Sequence, residues 1–397
     1  MTYKTVKVIF LCIVATAIVT GCAVAPKKEE AKVFYPEPPS LAHIQYLASY
    51  TGSSDIEHGK SGFDVFLTGE RVSARLDKPY GAAIYNGKLY VCDTNATVMV
   101  FDFDKKTFRP LQAAATGMGK VIQPLNISID RYGNKLVTDP VGLRVVMFDK
   151  GDFYVKSFSL DTPWKPVDAV LFEDRVYIAD AKNYEIVVFD KDSGAVVKRI
   201  GKDKSKPEES LGLPSNIAIS DDGYIYVSDS SRFQIVKYDR DGHFLSTIGA
   251  LGSEAGHFAR PRGIALDHAN RLYAVDAAFD NVQIFQPDGQ LLLFFAKAGR
   301  GPGDLYLPAK VFIDYDNIKY FDRLADPNFQ IEYLIFVTSQ FGDRMVNVYA
   351  FGKERGKRYP TDEELKQQLI ERMKKLQMNS QSGAEKDDKS GEGNEKK

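Results

Sequence analysis

Cysteine is scarce: the 397-residue chain holds three, Cys12, Cys22 and Cys92. That number excludes a disulfide framework, and the spacing excludes a structural zinc site or a c-type haem attachment. Histidine occurs five times, at His43, His58, His243, His257 and His268, at unrelated offsets in linkers, loops and turns. A three-histidine zinc centre needs side chains converging on one point, which these do not offer. Charge of one sign is lacking too, with 52 basic against 53 acidic residues, so an electrostatically driven nucleic-acid binder is excluded. No G-x-S-x-G, H-E-x-x-H or P-loop spacing occurs. Long apolar runs are absent, the longest being residues 8–19, short for a bilayer span.

What the chain has in quantity is short apolar runs and turn residues: 44% hydrophobic, 12% aromatic, 31 Gly and 18 Pro. Residues 217–219, 224–227, 234–238 and 244–248 are rich in β-branched and aromatic side chains and are separated by Asp/Gly turns. They read as a four-stranded antiparallel meander. The pattern recurs behind Pro79, Pro124, Pro166, Pro214, Pro261 and Pro308, and in the first five units an Asp (Asp93, Asp139, Asp180, Asp229, Asp276) closes the second strand. A lone meander leaves both faces uncovered, so repetition at this period predicts an all-β, six-bladed propeller over residues 44–352. The sixth unit supplies strands at 310–314, 333–338 and 345–351 and no fourth. Residues 44–50, IQYLASY, are expected to complete it from the N-terminal side and close the ring.

The flanks read differently. Lys4 and Lys7 precede the apolar run 8–19, and Val19-Thr20-Gly21-Cys22 resembles a bacterial lipobox, which implies a signal peptide over 1–21 and lipidation at Cys22. Two or more acyl chains hold a protein stably on a membrane. Ala23 behind the cysteine implies default sorting to an outer membrane, facing the periplasm or the cell surface. Residues 22–43 are expected to be a tether, charged and then proline-rich. Residues 353–378 combine a basic linker with an amphipathic helix opened by the capping-box pattern Thr361-Asp362-Glu363-Glu364, its apolar stripe being Leu365, Leu369, Ile370, Met373 and Leu376. Residues 379–397 are polar enough to be disordered.

Pro261-Arg262-Gly263-Ile264-Ala265-Leu266-Asp267, Leu272-Tyr273-Ala274-Val275-Asp276 and Val282-Gln283-Ile284-Phe285 with Pro287-Asp288-Gly289 resemble the NHL repeat. The chain as a whole resembles bacterial six-bladed NHL-repeat lipoproteins. That likeness implies a fold and leaves function open, since NHL-like propellers serve as protein-binding, RNA-binding and sensor domains and, in an amidating lyase, as a metal enzyme. The arginine usual five residues after the blade Asp survives as Arg144 but is Glu185, Gln234 and Asn281 in blades 3 to 5.

Two candidate sites follow. Gly81, Asn126, Asp168, Asn216, Gly263 and Lys310 begin the innermost strands and ring one mouth of the central channel. Asn126, Asp168 and Asn216 offer oxygen ligands of the kind Ca²⁺ takes, but such side chains also satisfy turn backbone, and the second reading is preferred. No cofactor is therefore expected, a Ca²⁺-like cation at the mouth being the alternative, with a metal-dependent hydrolase or lyase as the function it would serve. The other site is the face formed by the second-to-third-strand loops and the interblade loops, the top face. There Tyr184, Arg232, Phe233, Arg260, Arg262, Phe279, Phe341 and Arg344 have the character of interface anchors, with half the aromatics expected to pack between blades. Ile44 and Gly352 fall on the opposite, bottom face, so tether and C-terminal helix are expected together there. The favoured reading is a membrane-tethered extracytoplasmic propeller that binds a protein partner through its top face, without chemistry of its own. A third reading has the C-terminal helix make the contact.

Overall fold

The computed structural model describes residues 32–57, 74–361 and 364. The expectations for Cys22 and the leader, for His58 and for the stripe and tail beyond Glu364 lie outside those residues. Six antiparallel sheets follow one another. In blade 4 the strands are Pro214–Ile219, Ile225–Asp229, Gln234–Tyr238 and Phe244–Ile248, paired in chain order from the channel outwards. Blades 1, 2, 3 and 5 repeat this arrangement from Pro79, Ile127, Pro166 and Pro261. Tight turns make the meander possible. In blade 1, Asn86 and Gly87 both take positive φ, 46° and 74°, the twist that joins neighbouring antiparallel strands without splaying them.

Blades 1 to 5 are each pinned at the entrance by the Asp that ends their own second strand. Asp229 accepts the backbone N–H groups of Gly212 (2.6 Å) and Leu213 (2.9 Å), the two residues before Pro214. Asp93, Asp139 and Asp276 do the same for the residues before Pro79, Pro124 and Pro261. The proline carries no N–H, so the acid serves the two donors ahead of it. Blade 6 lacks the acid, and there Ser339 Oγ and Asp280 of blade 5 accept from Tyr306 and Leu307. Replacing Asp229 by alanine removes the acceptor of two part-buried donors and should cost about 1–3 kcal/mol in urea unfolding.

Between blades the core is divided into apolar seams. Val188, Ile200, Ile217 and Val227 lie between blades 3 and 4, and Tyr50, Phe101, Phe336 and Val348 between blades 1 and 6. Trp164 is 1% exposed in the seam of blades 2 and 3, its indole N–H donating to the Leu143 carbonyl at 2.9 Å. Near the axis neighbouring inner strands nearly touch. A Cβ on Gly81 would lie 2.5 Å from Asn126 Cα, and one on Gly263 would lie 2.5 Å from Lys310 Cα. Only glycine permits that approach.

The last blade is completed as the sequence predicts, with Ile44–Tyr50 antiparallel to Val346–Glu354 and Ile44 opposite Phe351. Three details differ. The second strand runs over Phe329–Ser339 and the third over Val346–Glu354, both longer than expected, because Gln330 and Ile331 pair with Lys353 and Gly352. The alternation Phe-Gln-Ile-Glu-Tyr at 329–333 carries that signal. A fifth strand, Phe34–Tyr35, pairs outside Ile44–Tyr50 within what the sequence suggests is tether. It is antiparallel to its neighbour, and the Tyr35 hydroxyl donates to the carbonyl of Gly303 in a top-face loop at 3.0 Å. The backbone therefore enters this blade from the top side, whereas Val346–Glu354 leaves it at the bottom. Ile44 and Gly352 lie together at the bottom as expected, the Gly352 N–H donating to the His43 carbonyl at 2.9 Å.

Candidate functional site: channel mouth and top face

At the channel mouth the structure brings the candidate polar residues together, around a lysine. Lys310, 7% exposed, reaches across from blade 6 and its ammonium donates to Asp168 Oδ2 (3.1 Å) and Asn216 Oδ1 (2.9 Å) in blades 3 and 4. Asp168 Oδ2 also accepts the Ile217 N–H at 2.9 Å, and its Oδ1 accepts the Ala169 N–H at 3.0 Å. Asn126 reaches from blade 2 to the next blade in the same sense as Asp168, its amide donating to the Val167 carbonyl of blade 3 at 3.1 Å. These bonds stitch one blade to the next and match most of the polar groups, as burial at low dielectric requires. An ammonium stands where a cation held by Asp168 and Asn216 would sit. Among the described residues no group of three or more His, Cys, Asp and Glu side chains is arranged to hold a metal ion.

The eight top-face candidates divide into two groups. Arg232 clamps the loop 201–213, donating to the Pro207 carbonyl at 2.6 Å and to the carbonyl and hydroxyl of Ser210. Phe233 packs into the apolar seam of blades 4 and 5. Arg262 lies over the Tyr80 ring and donates to Gln340 at 2.8 Å, and burial lowers its pKa from the ordinary value. Arg344 donates to the Tyr46 hydroxyl at 3.0 Å, holding the closing strand. These four make contacts within the fold. Arg260, Tyr184 and Phe341 are exposed and Phe279 half-exposed, in loops at different blades. Phe341 rests on Tyr306, and Lys204 stands 5.4 Å from the Tyr184 ring.

A family model described as a 6-bladed beta-propeller matches residues 165–250 and 206–283. The fold is that of a six-bladed propeller. Among solved structures the chain resembles a protein of unknown function from Bacteroides thetaiotaomicron, at 15% identity over 77% of this chain and 75% of that one, TM-score 0.55. Virginiamycin B lyase from Staphylococcus aureus is similar at 14% identity over 69% of this chain and 95% of that one, TM-score 0.47. A streptogramin B lyase is similar at 13% identity, over 70% and 84%, TM-score 0.48. No curated protein matches the sequence.

The top face also exposes apolar side chains. Met118, Ile122, Val141 and Leu143 are each about half exposed or more, in two adjoining loops around blade 2, with Tyr184 on the next blade. Arg144 holds the first of those loops by donating to the carbonyls of Met118 and Lys120. Four equivalent turn-ending residues, Leu143, Tyr184, Phe233 and Asp280, have φ of 52°, 59°, 58° and 50°. Each stands four residues after a blade Asp, where glycine or asparagine would be unstrained. For Phe233 and Asp280 the fold gives a reason, interblade packing and the bond to Leu307. Leu143 and Tyr184 are 47% and 42% exposed. The sequence reading missed Leu143 because nothing in Pro-Val-Gly-Leu announces a left-handed leucine; its offset from Asp139 was the available signal.

The remaining chemistry is dispersed. His43 packs on Tyr359, His243 pairs with Asp239, and His268 stacks on Tyr315 at 4.0 Å. Cys92 is buried in the second strand of blade 1, and burial pushes its thiol well above the usual range, the mark of a core residue rather than a nucleophile.

Proposed function

We propose that the protein is a lipid-tethered, extracytoplasmic binding module of the bacterial envelope that holds a protein partner on the top-face loops of blades 2 and 3. The observation that carries this is the pair Leu143 and Tyr184, large side chains kept in left-handed turns while half exposed. Hairpin geometry sets that backbone at all four positions, but at these two the side chain it carries is large and nearly half exposed. The neighbouring Met118, Ile122 and Val141 add apolar area of the sort buried at interface centres. The anchor rests on the lipobox resemblance at Cys22 and the NHL-like reading on the repeat residues. The ammonium of Lys310 between Asp168 and Asn216 supports a module without a channel-mouth cation.

Glycine substitution separates binding from folding. Leu143→Gly and Tyr184→Gly relieve left-handed strain, so thermal stability should hold or rise by up to about 1 kcal/mol. Phe233→Gly, at the equivalent position, should lose about 2 kcal/mol or more because its ring packs between blades. The double variant should fail to retain the protein that the parent captures from detergent-solubilised membranes. Retention at parental level with intact folding would reject the proposed surface.

A further inference from the structure

The last blade extends beyond its neighbours at the bottom. Its second and third strands have 11 and 9 residues, against 5 in the same strands of blade 4. Between this extension and the insertion at 315–328 lies a groove of about 510 Å³. Ile318, Phe329 and Ile331 provide apolar lining, and its charged residues are Asp322, Asp326, Arg323 and Arg355. A second hollow of about 230 Å³ shares Arg323 with it and includes Phe103 and Tyr320. The chain leaves the third strand at Glu354, and Arg355 itself lines the groove.

The segment that follows is held close by. The Tyr359 hydroxyl donates to the Ala42 carbonyl at 2.6 Å and accepts the Glu354 N–H at 3.0 Å. Two residues on, Thr361 N–H donates to the Glu364 carboxylate (3.0 Å) and Glu364 N–H to the Thr361 hydroxyl (3.2 Å). This reciprocal pair is a capping box, the start of a helix. The sequence then reads LKQQLIERMKKL over 365–376, whose spacing puts Leu365, Leu369, Met373 and Leu376 on one side with Lys366 and Arg372 flanking them. A helix this short is marginal alone in water and needs an apolar surface to form against. At about 1.5 Å per residue its 16 residues from Thr361 span roughly 24 Å.

We infer that residues 361–376 lie as a helix in this groove, Leu369 and Met373 over Ile318 and Ile331, with Lys366 and Arg372 toward Asp322 and Asp326. The occupant is the chain's own C-terminal segment, because that segment is anchored beside the groove and has begun its helix. Docking on a separate protein would require the same apolar stripe to stay in water until the partner arrived.

Disulfide trapping in the full chain tests this. Leu369→Cys combined with Ile331→Cys should form an intramolecular cross-link on mild oxidation, and Leu369→Cys with Tyr224→Cys, on a bottom turn of blade 4, should not. In parallel, Leu369→Glu with Met373→Glu should speed amide exchange of Gln330 and Ile331 by roughly tenfold while leaving the inner strand of that blade unchanged. Cross-links only between molecules, equal trapping in both pairs, or unchanged exchange would overturn it. None of these outcomes depends on whether the top face binds a partner.

Discussion

Lys310→Met lowers the free energy of unfolding by about 3–5 kcal/mol, because it strands the Asp168 carboxylate in the channel mouth without its counter-charge. Asp168 is wholly buried and keeps only the N–H groups of Ala169 and Ile217. The companion change decides the cause. Asp168→Asn with Lys310→Met removes both charges, and asparagine still offers an oxygen to Ile217, so the double variant should recover most of the loss, to within about 2 kcal/mol of the parent. Urea unfolding of the parent, both single variants and the double variant closes the cycle. A single-variant effect below about 1 kcal/mol, the size of an exposed pair, would show that the mouth is not held shut by this contact.

The second large effect concerns closure. A chain beginning at Thr51 lacks the strand that covers both seams of the last blade. Ile44 is fully buried, and Tyr46 and Tyr50 are 8% and 9% exposed. Their removal forfeits about 1.5–3 kcal/mol of burial for each, together with the backbone pairing to Val346–Glu354. That sum approaches the whole stability of an ordinary domain, so circular dichroism should show no cooperative melting transition. A chain beginning at Ala42 loses only Phe34–Tyr35 and should melt cooperatively at a temperature lower by several degrees. Cooperative melting of both chains at one temperature would mean that the ring closes without the N-terminal strand.

The repeat was legible because its signals are local and physical. Prolines stand at or just before strand starts, and the acid 14 or 15 residues later accepts N–H groups ahead of the proline, two in blades 1, 2, 4 and 5 and that of Lys165 in blade 3, so spacing alone locates blades 1 to 5. Closure was legible by subtraction, a missing strand in one place and a spare one in another. The channel mouth was half legible. Asn126, Asp168, Asn216 and Lys310 were found at equivalent positions, but a sequence does not say that one residue's long side chain crosses the ring to satisfy two others. The top face was least legible. Arg232, Arg262 and Arg344 look like anchors by type, yet each guanidinium is engaged by carbonyls, an amide or a tyrosine of its own chain. Nothing in a residue's type distinguishes an arginine that holds a loop from one that waits for a ligand. The positive φ of Leu143 and Tyr184 depends on hairpin geometry that four unlike residues share.

Pairing Ile44 with Phe351 also has a consequence in time. The partners stand 307 positions apart (351 − 44), so blades 1 to 5 can mature as the chain lengthens while the N-terminal strand waits with an unsatisfied edge for the last one to emerge. A polypeptide interrupted anywhere before Val346 remains an open arc, exposed to proteases and to pairing with other chains. Synthesis through the third strand of the last blade is thereby checked by the architecture itself, since only then can the ring close.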